Sequence, residues 1–249
     1  MRIAVAGGTG AVGRHVVDVV RERGHEPVVL ARSQGIDLVT GVGLAEALQG
    51  VTAVIDVASV QTQSADASKQ FFGTVTTNLL QAEKAAGVAH HVALSIVGSD
   101  KAPYGYYAGK AEQERVVAAG DVPWTLLRAT QFHEFAAQMH GQIMVGPLML
   151  VPRMRSRPIA AREVAERLVE LATGVPAGRV RDLVGPEERR MADMVRAYSA
   201  AIGGRGRIVE VPLPGGFGRA LRDGTLLGEA DVDHGVQTYE EWLAALPGA

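Results

Sequence analysis

The stretch Arg2-Ile3-Ala4-Val5-Ala6-Gly7-Gly8-Thr9-Gly10-Ala11-Val12-Gly13-Arg14-His15-Val16-Val17-Asp18-Val19-Val20 decides the fold. An apolar run that stops at a glycine cluster reads as a strand buried on both faces. The valines from Val12 to Val20 recur at helical spacing, and Gly24 supplies a stop. Between the two, Gly7, Gly10 and Gly13 allow a tight turn, close backbone approach to a diphosphate and close packing of helix on sheet. Thr9, Ala11 and Val12 complete this turn. The helix start offers unpaired N–H groups and the positive end of its dipole, so strand, glycine turn and helix in this order predict a dinucleotide site.

Outward from this stretch, short apolar runs alternate with helical patterns, the arrangement of a parallel sheet wrapped by helices. Strands are predicted at Ile3–Ala6, Pro27–Ala31, Ala53–Val57, His91–Ser95 and Trp124–Arg128, and helices at Ala11–Arg23, Leu44–Leu48, Ser64–Ala86 and Gly109–Ala119. The expectation is an α/β, doubly wound, Rossmann-like parallel sheet with its core over about residues 1–130 and a small C-terminal substrate lobe over about 131–249, all one domain. In that lobe Gln142–Pro152 reads as extended or a hairpin, Ala161–Thr173 and Gln237–Leu246 as helices, and Arg179–Val184 and Arg207–Val211 as strands. No repeat or charged linker interrupts the chain.

The second strand ends in Val28-Val29-Leu30-Ala31-Arg32-Ser33, about twenty residues beyond the glycine turn, where an NAD enzyme places an acid on the adenosine ribose. Arg32 stands there instead. Its guanidinium can pair with a 2′-phosphate and stack on adenine, and Ser33 adds a hydroxyl, so the cofactor is expected to be NADP(H). Asp56-Val57-Ala58-Ser59 closes the third strand where a dinucleotide would pass, which makes Ala58 and Ser59 binding candidates. Asp37 and Asp56 serve equally well as turn or cap residues.

Ser95 ends the fourth strand, and Tyr106 precedes Lys110 by one helical turn, so the two side chains share a helix face. A phenol beside an ammonium suits proton exchange with a substrate oxygen, and Ser95 could orient a carbonyl. Tyr104 and Tyr107 compete for the acid's role, and spacing favours Tyr106. Alternatively Tyr106 and Lys110 only decorate a cofactor-binding helix.

A serine ending strand four followed by Tyr-x-x-x-Lys resembles the active-site pattern of short-chain dehydrogenase/reductases. Leu94-Ser95-Ile96-Val97-Gly98, Tyr106-Tyr107-x-x-Lys110-x-x-x-Glu114 and Leu127-Arg128-Ala129-Thr130-Gln131-Phe132 resemble the atypical NmrA-like branch of NAD(P)H-binding reductases, as do Pro158–Val164 and Gly185-Pro186. This resemblance implies that Asp37-Leu38 holds adenine, that Lys110 reaches the nicotinamide ribose, and that Thr130 and Phe132 cover the nicotinamide. It implies a reductase passing hydride to a small carbonyl, quinone or conjugated acceptor. The branch also contains non-catalytic dinucleotide sensors, and a sensor is the rival reading. A nucleotide-sugar epimerase or dehydratase shares the fold and is disfavoured by the size of the C-terminal lobe.

Composition narrows the classes. The absence of cysteine excludes disulfides, thiolate metal sites and thiol nucleophiles. A net charge of -2 gives no footprint for nucleic acid or an anionic membrane and says nothing of the substrate. The reductase reading implies a small-molecule substrate as partner, and a monomer or homodimer is expected. No metal site is expected: His133 and His140, seven apart, lack a third ligand at metal spacing. No leader or membrane-length apolar run is read, and a cytoplasmic location is expected.

Overall fold

The computed structural model describes residues 1–204 and 206–246. The chain forms two compact units, the first Met1–Arg128 with Arg162–Arg181, the second Ala129–Ala161 with Asp182–Ala249. The segment Arg162–Arg181, expected in the C-terminal lobe, thus belongs to the first unit.

The first unit holds β1 (Arg2–Ala6), α1 (Ala11–Glu22), β2 (Glu26–Leu30), α2 (Leu44–Ala47), β3 (Ala53–Asp56), α3 (Ala65–Ala86), β4 (His90–Ile96), α4 (Tyr106–Ala118) and β5 (Trp124–Ala129, its last residue in the second unit). Its strand order is β5-β4-β3-β1-β2. β1 pairs in parallel with β2 and β3, and β3 in parallel with β4, with Ala6 opposite both Leu30 and Asp56. Ile3 to Ala6 and Ala53 to Ile55 are wholly buried. Only a strand covered on both faces can be apolar at every position, which is why these runs show no alternation. The chain steps from β1 outward to β2 and returns to the other side of β1 for β3, so the strand order reverses between β1 and β3. In open α/β sheets ligands bind outside the carboxyl ends of strands at such a reversal.

Helix ends follow local chemistry. Gly24, at φ 75°, ends α1. The Ser64 hydroxyl accepts from the Ala67 N–H at 3.3 Å to start α3, and Gly87 at φ 72° closes it. α4 begins at Tyr106 rather than Gly109, so Tyr106 is the first helical residue. Within α4, Gly109 lies against α3 so closely that a Cβ would stand 2.1 Å from Ser68 Oγ and 2.6 Å from the Phe72 ring. Later in the chain, α6 (Ala161–Thr173) buries Val164, Leu168 and Val169, and β9 (Gly178–Arg179) pairs in parallel with β5.

In the second unit, α5 (Phe135–Met139) precedes the antiparallel pair of β6 (Met144–Val145) and β7 (Leu148–Pro152), which turns at Gly146-Pro147, so of the two expected forms, extended or hairpin, Gln142–Pro152 takes the hairpin. β8 (Arg155–Ser156) pairs antiparallel with β11 (Arg189–Arg190), and β12 (Arg207–Val211) in parallel with β7. β10 (Leu183–Val184) pairs with β13 (Asp233–His234), and Leu183 with Ala129. The single strand expected at Arg179–Val184 is therefore two short ones, β9 and β10. α7 (Met191–Ala201) and α8 (Gly215–Asp223) are additions to the sequence reading, while α9 (Tyr239–Ala244) starts on a reciprocal Thr238–Glu241 capping box. Among the described residues no helix is long and apolar enough to cross a membrane.

Candidate functional site

The glycine turn closes the carboxyl end of β1. Gly7 adopts φ 79°, and a Cβ there would meet Ala58 Cα at 2.8 Å and the Val57 carbonyl oxygen at 2.9 Å. The turn and the segment after β3 are therefore in backbone contact at the strand-order reversal. A Cβ on Gly13 would sit 2.0 Å from the Gly7 carbonyl oxygen, so this glycine lets α1 begin against the turn. Gly10 differs: its φ is -76°, and a Cβ would meet only the Gly7 oxygen, at 3.2 Å. Its outer side is open. α1 has no side-chain cap and no acid in its first turn, and Thr9, Gly10 and Ala11 are exposed. Uncapped N–H donors and an unopposed dipole suit a diphosphate, so Thr9, Gly10, Ala11, Val12 and Gly13 fit the group that the sequence implies.

At the other candidate end, Arg32 and Ser33 lie exposed in a one-turn 3₁₀ helix after β2, and no carboxylate among the described residues pairs with Arg32. An arginine left free at this place can meet a 2′-phosphate. Asp37 is more occupied. One carboxylate oxygen accepts from the Val39 and Thr40 N–H groups at 2.8 and 3.2 Å, the turn role that its residue type also allowed. Leu38 packs against the core cluster of Leu44, Val75 and Leu79, and its carbonyl accepts from Asn78.

Tyr106 and Lys110 share a face of α4, yet their polar ends go to different partners. The Tyr106 hydroxyl lies 3.1 Å from Ser59 Oγ, and its ring meets Phe72 edge-on at 5.4 Å. Lys110 Nζ donates to the Leu94 carbonyl at 2.9 Å and to Gln113 Oε1 at 2.8 Å, above the Phe72 ring. Gln113 Nε2 in turn donates to Asp56 Oδ2 at 2.8 Å, and Asp56 Oδ1 accepts from the Ala58 N–H. Burial lowers the Lys110 ammonium to about 8 against the opposing pull of Asp56 and Glu114. Burial also pushes the Tyr106 phenol up to about 12, with the Ser59 hydrogen bond opposing and Asp56 adding to the rise. An ammonium beside a phenol favours the phenolate, yet here burial leaves the phenol raised and neutral, and the Lys110 ammonium directs its hydrogen bonds to Leu94 and Gln113 instead.

Ser95 is similarly engaged. Its hydroxyl donates to Glu114 Oε1 at 2.5 Å, and the same carboxylate takes Ser99 Oγ at 2.8 Å and a two-pronged pair from Arg128 at 2.8 and 2.6 Å. Arg128 also reaches Asp100 at 2.9 Å. The hydroxyl in contact with Tyr106 is that of Ser59, while Ser95 belongs to a buried network around Glu114.

A family model described as NAD(P)H-binding matches residues 7–174. The chain belongs to the NAD(P)H-binding family. A photosystem II assembly factor of Synechocystis sp. is 25% identical over 234 residues, covering 86% of this chain and 71% of that protein. A (4-alkanoyl-5-oxo-2,5-dihydrofuran-3-yl)methyl phosphate reductase of Streptomyces griseus subsp. griseus is 28% identical over 229 residues, covering 81% and 74%. Among solved structures, an NADPH-dependent quinone oxidoreductase from Escherichia coli complexed with NADPH superimposes with a TM-score of 0.71 at 18% identity, covering 97% of this chain and 98% of that one.

In this NAD(P)H-binding protein the two residues expected over the nicotinamide lie in the second unit. Thr130 is buried, its hydroxyl donating to the Arg157 carbonyl at 2.5 Å and accepting from the Gly185 N–H at 3.3 Å. Phe132 is half-buried and bridges to Ile159. His133 is buried in a ring cluster with Tyr239 and Trp242, its Nε2 3.2 Å from the Gln237 carbonyl oxygen. His140 lies instead against Tyr198 and Ser199. No group of three potential metal ligands occurs among the described residues. Sequence reasoning missed the parts played by Gln113 and Glu114, three and four residues after Lys110, although that spacing already put them on neighbouring faces of one helix.

Proposed function

We propose that this protein is an NADPH-dependent oxidoreductase that reduces a small carbonyl, quinone or conjugated acceptor. The observation that carries this reading is a line of contacts within the first unit. Gly7 packs on Ala58, Ser59 follows Ala58 in sequence, and Ser59 touches the Tyr106 hydroxyl. A neutral phenol thus lies one residue from the cradle suited to a diphosphate. When bound, NADPH supplies a hydride from its nicotinamide. The chain does the rest. The N–H groups around Gly10 hold the diphosphate, Arg32 and Ser33 take the 2′-phosphate, and Tyr106 holds a proton for the acceptor oxygen. Lys110 anchors α4 to β4 through Leu94 and, through Gln113, to Asp56.

The engagement of Lys110 and Ser95 elsewhere favours a second reading, a dinucleotide sensor without turnover. One measurement separates the two. Purified protein is given NADPH and a panel of quinones, aldehydes and enones, and cofactor oxidation is followed at 340 nm. Turnover supports the oxidoreductase. Tight NADPH binding with no turnover across the panel supports the sensor.

A further inference from the structure

We propose that Ser59 positions the Tyr106 phenol and returns a proton to it during carbonyl reduction. This inference rests on the oxidoreductase reading above.

The case begins with what the other candidate groups are doing. Ser95 gives its only hydrogen to Glu114, an acceptor shared by Ser99 and Arg128, so it has no hydrogen left for a substrate carbonyl. Lys110 is buried and directs Nζ to the Leu94 carbonyl, Gln113 and the Phe72 ring. Ser59 is the residue whose side chain meets the phenol oxygen, at 3.1 Å, and it is exposed to solvent. Phe72 holds the tyrosine ring from the side, which leaves Ser59 to fix where the hydroxyl points.

Two hydroxyls in contact can share their hydrogens in one productive way. The Ser59 O–H donates to the phenol oxygen, and the phenol O–H is left for the acceptor. As hydride reaches the carbonyl carbon, the O–H bond of Tyr106 breaks and its proton forms the new O–H bond of the alcohol. The phenolate left behind is a strained product at neutral pH, because burial and Asp56 both oppose its charge. Ser59 relieves this in one concerted shift: as its own proton moves to the Tyr106 oxygen, its oxygen takes a proton from a solvent water, so no alkoxide forms, and the hydroxide left in solvent is neutralised by bulk acid, which supplies the one proton consumed. The sum is carbonyl, NADPH and one solvent proton going to alcohol and NADP⁺, so charge and atoms balance. Ser59 acts through Tyr106 and need not touch the substrate.

The test uses the full-length protein with tyrosine labelled at Cζ with carbon-13. The Tyr106 resonance is assigned by its loss in Tyr106→Phe and followed without cofactor in wild type, Ser59→Ala and Ser59→Thr. The same proteins are assayed with NADPH and the best aldehyde or ketone. Ser59→Ala should shift the Tyr106 resonance and lower kcat about 10–100-fold, the scale of one hydrogen bond to a developing anion. Ser59→Thr, which keeps the hydroxyl, should restore both. An unmoved resonance, or full kcat in Ser59→Ala, overturns the role of Ser59 and leaves the oxidoreductase reading standing. If the wild type reduces no carbonyl compound while the resonance moves, the oxidoreductase reading fails and takes the relay with it.

Discussion

Lys110 Nζ stands 4.3 Å from the centre of the Phe72 ring and spends its hydrogen bonds on the Leu94 carbonyl and Gln113. Tyr106 leans on the same ring from one helical turn away, so Phe72 separates the surroundings of an ammonium and a phenol that the i,i+4 spacing would have paired. Burial then keeps the phenol neutral, and in the proposed reaction it would meet an acceptor as an acid.

Removing that acid should cost most of the rate with carbonyl acceptors. Tyr106→Phe is expected to lower kcat by about 10²–10⁴, the usual worth of positioned acid–base catalysis. Tyr104→Phe and Tyr107→Phe should not imitate it, since it is the Tyr106 hydroxyl that meets Ser59. Steady-state rates on one aldehyde for the three variants decide this. Equal rates in wild type and Tyr106→Phe would remove the tyrosine from the reaction. Quinones serve poorly here, because they can collect a proton from water.

Two glycines of the turn should fail in different ways. Gly10→Val adds a side chain on the open side of the cradle, so NADPH binding by calorimetry should vanish while the melting temperature stays near that of the wild type. Gly13→Ala drives a methyl group into the Gly7 carbonyl, and its melting temperature should fall by several degrees. Undiminished binding in Gly10→Val would place the diphosphate elsewhere.

Arg32 should set the choice between the two dinucleotides. Arg32→Glu is expected to weaken NADPH about 10–100-fold, as loss of a charged hydrogen-bond partner does, and to move the preference toward NADH. Fluorescence titration with both cofactors measures the ratio. A wild type that binds NADH as well as NADPH would remove the 2′-phosphate role from Arg32.

Acid should loosen the second unit through His133. Burial lowers this imidazole to about 4, with the Gln237 carbonyl opposing. In the unfolded chain the ring titrates near its ordinary 6.5, so between those values the unfolded state holds the extra proton. Stability from this site is therefore complete above about 6.5 and is lost as pH falls toward about 4. Its slope is about 1.4 kcal/mol per pH unit at most. His133→Leu should flatten the denaturation midpoint over this interval, with proton uptake on unfolding reduced by about one. A midpoint that falls as steeply in the variant would assign the acid sensitivity to other groups.

The first unit was legible because its signals are local. The run from Ile3 to Ala6, the valines of α1 and the stop at Gly24 each depend on neighbours within a few residues, and each lies where the periodicity places it. α7 is different: its apolar Met191, Met194 and Val195 face other parts of the second unit, and Tyr239 reaches its Met194 carbonyl from 45 positions away. The candidate site divides on the same line. Glycine spacing and Tyr106 to Lys110 are short-range patterns. The contact of Ser59 with Tyr106 spans 47 positions, and the joining of Ser95 to Arg128 through Glu114 depends on how a helix meets two strands. Nothing in the linear order ranks Ser59 above Ser95 as the phenol's partner.

Gly109 has a consequence beyond its own helix. With room for no more than a hydrogen atom against Ser68 and Phe72, it works as a spacer of minimum thickness. At this crossing the gap sets how close α4 lies to α3, and Tyr106, three residues earlier on α4, packs on the same Phe72 ring. If Tyr106 carries the proton as proposed, the tolerance of that chemistry is set in part by a residue that carries no functional group, and accuracy at Tyr106 is inherited from the depth at which two helices can sink into each other.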